Sequence, residues 1–338
     1  MGDPAQAAVR WRALGTDGSG GARSQSNAGR GIDTLGGATS NAVDQDPLQE
    51  SRNAGPVMSG LVLHRLAGAL LGVLALGVVW GARAFDQAAL EAKLGQIARP
   101  GGEQRVSCVS IAARRPIVVL AIGQSNAANH GVLAPGAAQP VVLVSEGHCI
   151  LAVDPLPGGT GRGASIWQRL PQYFSRRGPH RPLVLAVMGV DATSIEDWAG
   201  EKSPLGGRLK NQIESMRALD LMPHLILWQQ GEADARLGTT AAAYGAGLDK
   251  LAKILGQGGS NAPIVMARST ICRSPPYAAV RDAIEAKAAS NPRFRLGPDT
   301  DTLLGANLRQ DGCHFSTQGL ERAAELWANT IVQHPLRK

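Results

Sequence analysis

The sequence predicts an α/β fold: a mainly parallel sheet with helices on both faces. Three observations support this. Short apolar runs recur along the second two thirds of the chain, at Pro116–Ile122, Val141–Val144, Leu183–Met188, His224–Trp228 and Pro263–Ala267. These runs are apolar throughout rather than alternating, as a strand covered on both faces must be. Between them lie stretches of helical spacing at about 164–176, 206–219, 239–256, 277–289 and 316–332. Alternating elements of this kind build parallel sheets whose functional groups gather at the carboxyl ends of the strands.

The chain has 338 residues, 44% of them hydrophobic, enough to bury a full core. The formal charge is +7, but its basic residues come in short pairs such as Arg114-Arg115 and Arg176-Arg177, without interleaved aromatics. That pattern is a solvated surface, and no nucleic acid partner is expected. The four cysteines, Cys108, Cys149, Cys272 and Cys313, form no C-x-x-C pair, so a zinc site is not expected. In an exported chain they permit two disulfides, with three connectivities open.

Residues 1–57 are rich in Gly, Ala, Ser, Asn, Asp and Gln without hydrophobic periodicity, and read as a disordered tail. Residues 66–82 form an uncharged apolar run preceded by His64 and Arg65. The run is shorter than the ~20 residues of a comfortable membrane span and longer than the ~7–15 of a signal-peptide core. Ala82-Arg83-Ala84 follows it directly, in the A-x-A pattern of signal-peptide cleavage. Residues 58–84 therefore read as a signal peptide or a signal-anchor transmembrane helix. If uncleaved, residues 66–82 hold the protein to a membrane; in either case the remainder is exported, to the cell envelope or periplasm or outside the cell. Residues 85–115 read as a linker or N-terminal extension and 116–334 as the main domain.

Four polar turns follow apolar strands. The first strand ends in Gly123-Gln124-Ser125-Asn126-Ala127, where a strand-to-helix turn can present a serine hydroxyl at the sheet edge. Gly189-Val-Asp-Ala-Thr-Ser-Ile-Glu-Asp-Trp198 follows another strand, and its turn can offer a further backbone N–H. Leu225-Ile-Leu-Trp-Gln-Gln-Gly-Glu-Ala-Asp234 carries Gln230, whose amide is suited to donate to a developing oxyanion. Near the end lies Asp311-Gly-Cys-His314, where an Asp three residues before a His can hold the ring through Nδ1–H and leave Nε2 to take a serine proton. Together these turns hold all the parts of acyl transfer.

The order GQSN, then G-x-x-A-T-S-I-x-x-W, then W-x-QGE-x-D, then D-x-x-H resembles the SGNH hydrolase superfamily, in its sialate O-acetylesterase-like branch with the family-six carbohydrate esterases. The resemblance spans about residues 116–332. It implies a flavodoxin-like three-layer α/β/α fold, a serine esterase that removes acetyl groups from carbohydrate, and no metal or other cofactor. It makes Ser125 the nucleophile, His314 the general base and Asp311 its orienter, with oxyanion donors from Ser125, Gln230 and the turn at Asp191 and Ala192. The family often has Gly-Gly where this chain has Asp191-Ala192. If the turn needs a positive φ, alanine there is costly.

Gln124, Asn126, Trp167, Trp198 and Glu232 are further candidates for substrate contact, the tryptophans as sugar-stacking platforms, and Glu232 reads more simply as a support for its loop. The glycine-rich loop Asp154–Trp167 reads as lining the substrate. Cys272 follows a late strand and Cys313 sits within D-x-x-H, so a bridge between them would brace His314; Cys108 with Cys149 is then the remaining pair. Two other readings use the same residues: a catalytically silent carbohydrate-binding protein, and an acetyltransferase acting on envelope polysaccharide. Met58 precedes the apolar run closely enough to be the true start of the chain, and N-terminal sequencing of the native protein is expected to yield no peptide from residues 1–57; recovery of such a peptide contradicts that start.

Overall fold

The computed structural model describes residues 87–134 and 139–334. The expected disordered tail and the apolar run at 66–82 lie outside the described residues. Among those described, no helix is long and apolar enough to cross a membrane.

The chain opens with helix α1 (87–94), strand β1 (Gln104–Val106) and helix α2 (Cys108–Ala113). It continues with β2 (Ile117–Gly123), β3 (Val141–Ser145), β4 (His148–Ala152), α3 (Leu170–Ser175), β5 (Leu183–Gly189), α4 (Ile195–Ala199), α5 (Pro204–Ala218) and β6 (Leu225–Gln229). Then follow α6 (Glu232–Leu237), α7 (Ala241–Gln257), β7 (Ile264–Arg268), α8 (Ala278–Ser290), β8 (Phe294–Asp299) and α9 (Thr317–Gln333). The eight strands form one sheet in the order β1-β4-β3-β5-β2-β6-β7-β8. From β3 to β8 neighbouring strands are parallel, whereas β4 runs antiparallel to both β3 and β1. The mixed α/β fold with a mostly parallel sheet is the expected one. Within it, β5-β2-β6-β7-β8 has the 2-1-3-4-5 order of flavodoxin-like sheets, whose switch point lies beside β2, and sheets of this kind bind ligands at the strand carboxyl ends there.

All seven residues of β2 are buried, which explains their unbroken apolar character. Val118, Leu120 and Ile122 face a core completed by Trp198, Leu209, Ile213, Tyr244, Leu248 and Ile284 from α4, α5, α7 and α8. Ile117, Val119 and Ala121 face the other core, with Leu170 and Phe174 of α3 and a stripe on α9. That stripe, Leu320, Ala323, Ala324, Trp327, Ala328 and Ile331, has the i, i+3, i+4, i+7 spacing of one helix face. Each large aliphatic side chain buried this way contributes roughly 1.5–3 kcal/mol.

The described part of the N-terminal extension, residues 87–115, is integral to the fold. Its β1 pairs with β4 from Gln104 opposite Leu151 to Val106 opposite Cys149, and a disulfide joins Cys108 to Cys149. A cross-link over a separation of 41 residues removes about 4 kcal/mol of unfolded-chain entropy in the simple loop-closure treatment. The second disulfide joins Cys272 to Cys313, and no cysteine is free. Two disulfides are the mark of an extracellular or periplasmic protein.

The helix expected at 164–176 contracts to α3, because residues 164–169 form turns in which the Ser165 hydroxyl bonds Asp154 and accepts from the Gln168 N–H. Strand β4 escapes sequence detection because its hairpin turn is Glu146-Gly147, both at positive φ, rather than Asn-Gly or Asp-Gly.

Candidate active site

The first polar turn is held by close approach of two strand ends. Gly123 ends β2 at φ 145°, and a Cβ there would lie 2.0 Å from the Gln229 carbonyl of β6, so only glycine fits. Ser125–Ala127 then make one 3₁₀ turn, with Ala127 N–H donating to Gln124 O at 2.8 Å. Ser125 is 5% exposed. Among the described residues its N–H has no acceptor.

The Asp311–His314 loop reaches the same edge. One Asp311 oxygen accepts the N–H groups of Cys313 (2.9 Å) and His314 (2.7 Å). The other lies 2.9 Å from His314 Nδ1 and accepts from Arg273 at 3.3 Å. Burial acts to raise the Asp311 pKa, but the His314 and Cys313 hydrogen bonds outweigh it and hold the carboxyl well below its usual range. An ionised Asp311 accepts the Nδ1–H, which puts the lone pair of His314 on Nε2.

Two residues outside the sequence motifs fix this loop. Arg309 is 2% exposed and donates to the carbonyls of Leu303 (2.8 Å), Thr300 (2.8 Å), Ile271 (3.3 Å) and Cys313 (2.5 Å). Arg273 holds Asp311 from the neighbouring segment, which the Cys272–Cys313 disulfide also ties down. Asn126 joins the two halves of the site: its amide donates to Glu232 Oε1 at 2.7 Å and to Cys313 O at 3.3 Å. The residue after Ser125 is thereby bonded to the residue before His314.

The third turn follows β5. Asp191 N–H donates to Thr160 Oγ1 at 3.0 Å, so it is not available as an oxyanion donor, contrary to expectation. Ala192 sits at φ 50°, the left-handed conformation that disfavours alanine by roughly 1–2 kcal/mol. Its N–H has no acceptor among the described residues, and its carbonyl accepts from Lys93 at 3.4 Å.

Gln230 also departs from expectation. It is fully buried, and its two amide hydrogens face Thr193 O (3.0 Å), Asp234 Oδ2 (2.5 Å) and Gln124 Oε1 (3.3 Å), while Tyr244 donates to its oxygen at 2.8 Å. With its hydrogens engaged by a carbonyl and a carboxylate, this amide holds the turn together and is not free to meet an oxyanion. Gln124 is the reverse case. Its oxygen accepts from Gln230, Gly231 N–H (3.5 Å) and Ala233 N–H (3.0 Å), and its amide nitrogen has no partner among the described residues.

The remaining candidates for substrate contact are structural. Trp167 and Trp198 are fully buried; their indole N–H groups donate to Ala127 O (2.8 Å) and Thr193 Oγ1 (2.9 Å), and their rings pack on Trp327 and Trp228. They brace the serine turn and the 189–193 turn from below and offer no face to a sugar. Asn126 is engaged as described. Glu232 is 2% exposed, with Oε1 accepting from Asn126 and from Ser269 (2.7 Å) and Oε2 buried without a partner. Burial pushes its pKa up to about 7, against the lowering effect of the Asn126 and Ser269 hydrogen bonds. The glycine-rich loop does not lie free either. Asn129 bonds Leu156 N–H and O and Gly159 O, and Gly159 bridges Gly189 at the end of β5.

A model of the family described as carbohydrate esterase, sialic acid-specific acetylesterase, matches residues 158–333, more than half of the chain. The chain belongs to this family. It is a carboxylic ester hydrolase, as the four turns led us to expect. Among solved structures, an Arabidopsis thaliana protein is similar at TM-score 0.53 and 20% identity, covering 65% of this chain and 99% of its own. That likeness establishes the fold. A family 3 carbohydrate esterase from Clostridium thermocellum (TM-score 0.42, 13% identity, 64% and 96% covered) is also similar. So is a carbohydrate acetylesterase from Sinorhizobium meliloti (0.41, 15%, 64% and 98%). No curated protein sequence matches the chain.

The Glu232 environment has a testable consequence for stability. Its folded pKa is raised, so the unfolded chain releases this proton first as pH rises from about 4.3. The stability linked to it is complete below that pH and is lost as pH rises through the folded value of about 7. Glu232→Gln is expected to gain on the wild type by up to about 3 kcal/mol between pH 4 and pH 8. Urea unfolding at the two pH values reads this, and an equal difference at both contradicts it.

Proposed function

We propose that the protein is an exported carbohydrate O-acetylesterase in which Ser125 is the nucleophile, His314 the general base and Asp311 its orienter. The observation that carries this reading is the Asp311–His314 pair at 2.9 Å, tied through Asn126 to the turn that holds Ser125. An imidazole whose Nδ1–H is held by a carboxylate has one free nitrogen, and a buried serine on the adjoining turn is a fitting source of its proton.

In this mechanism His314 Nε2 takes the Ser125 proton as the oxygen attacks the acetyl carbonyl. The carbonyl electron pair moves onto oxygen, where the Ser125 N–H and Ala192 N–H donate, with the Gln124 amide nitrogen as the third donor in place of Gln230. The imidazolium returns its proton to the departing sugar oxygen, leaving acetyl-Ser125. Water, deprotonated by His314, then attacks the acyl group; acetate leaves and Ser125 regains its proton. Asp311 remains ionised throughout and stabilises the imidazolium.

Acetylated carbohydrate as the substrate class rests on the family. Export rests on the two disulfides, together with the A-x-A pattern after the apolar run. Ser125→Ala is expected to lower acetate release from 4-nitrophenyl acetate and acetylated xylan by more than about 10³-fold with an unchanged melting temperature. Retained turnover in that variant rules out Ser125 as the nucleophile.

A further inference from the structure

His130 belongs to none of the four motifs, yet it touches three of the segments that build the site. Its ring stacks on that of His314, with centroids 5.3 Å apart and planes 26° apart. Its carbonyl accepts from Gln310 at 3.3 Å, on the Asp311–His314 side. Its Nε2 lies 3.2 Å from Thr160 Oγ1, and that same hydroxyl oxygen accepts the Asp191 N–H at 3.0 Å. A continuous chain thus runs from the 189–193 turn through Thr160 to the ring backing His314.

The direction of this chain selects one protonation state. Thr160 is fully buried, and its oxygen already receives a hydrogen from Asp191. Its own hydroxyl hydrogen has one acceptor among the described residues, His130 Nε2. With Thr160 as the donor, His130 offers a lone pair at Nε2 and carries its proton on Nδ1, which satisfies the buried hydroxyl hydrogen. Protonation at Nε2 would make the ring the donor to Thr160 Oγ1 and leave a buried hydroxyl hydrogen without an acceptor among the described residues. It would also put a positive charge against a ring that must itself become positive during acyl transfer.

We propose that His130 is a positioning residue of this site: a neutral Nδ1–H imidazole that backs the His314 ring and anchors the 189–193 turn, and whose protonation switches the site off. The proposal rests on the serine-esterase reading above. The charged groups that face His130 are His314 and Asp311 from one loop and Asp191 from the other, with Arg273 behind Asp311. Gly161 packs against the ring, where a Cβ would lie 2.9 Å from His130 Cδ2. Burial lowers the His130 pKa most, Asp191 raises it, His314 lowers it and Asp311 raises it; the net direction is downward, in keeping with a neutral ring.

The test is the pH dependence of kcat/KM for acetate release from 4-nitrophenyl acetate, from about pH 4 to pH 8, in the wild type and in His130→Phe, which keeps a ring and removes both nitrogens. The wild-type acid limb is expected to steepen toward two protons below the lower of two apparent pKa values. The limb of H130F is expected to stay at one proton, with kcat reduced by up to about tenfold at pH 8 because the tie to Thr160 is gone. Parallel acid limbs in the two proteins overturn the proposal, whereas absence of wild-type turnover overturns the esterase reading instead. In that second case NMR titration of the imidazoles still decides the matter. The His130 pKa is expected to rise in His314→Gln, which removes the neighbouring imidazolium, and an unmoved titration overturns the coupling.

Discussion

Asp311 has two carboxylate oxygens and four partners, and the chemistry of the site depends on how they are divided. One oxygen takes the N–H groups of Cys313 and His314, which shapes the loop, and the other takes the His314 ring. A surface carboxylate–imidazole pair alone is worth no more than about 1 kcal/mol and would not hold a ring in place. Here the backbone is fixed by other means: the Cys272–Cys313 disulfide, and the buried Arg309 guanidinium gathering four carbonyls from three segments. The Asp311–His314 pair inherits its geometry from that frame.

Beneath the reactive edge lies a second tier of buried polar groups: Gln124, Asn126, Gln230, Glu232, Asp234 and Tyr244. They bond mainly to one another and to the backbone of the turns, as buried polar groups must if they are not to destabilise the fold. Asn126 couples the serine turn to the histidine loop, Gln230 couples the ends of β5 and β6, and Trp198 secures Thr193. The strained Ala192 fits the same picture. A left-handed residue persists where its surroundings dictate the backbone, and here its N–H has no acceptor among the described residues.

Much of the fold was legible in the sequence because its central strands are buried on both faces. Pro116–Ile122 and Leu183–Met188 show this as unbroken apolar runs, and α9 shows its inner face as a regular stripe. The peripheral strands were not legible. Strand β8, Phe-Arg-Leu-Gly-Pro-Asp, sits at an edge with half of its residues partly solvated, and β1 is only three residues long. At the site, the residues at strand carboxyl ends were legible as a set, but their individual tasks were not. Gln124 and Gln230 are both glutamines at strand ends; which amide is free depends on partners 37 to 109 residues away, such as Thr193 and Ala233. Trp167 and Trp198 looked like platforms because they flank the turns, and they do flank them, from inside. His130, Thr160 and Arg309 carry no motif; the only sequence signal for His130 was its position five residues after Ser125.

The central claim is that Ser125 and His314 act as one chemical unit. Labelling with a 4-nitrophenyl alkylphosphonate, followed by peptide mass spectrometry, tests it without any assumption about the sugar. The expected result is a single phosphonylated residue, Ser125, with labelling slowed by roughly 10²–10⁴-fold in His314→Ala. Labelling at a different residue, or at the same rate without the imidazole, would contradict the account.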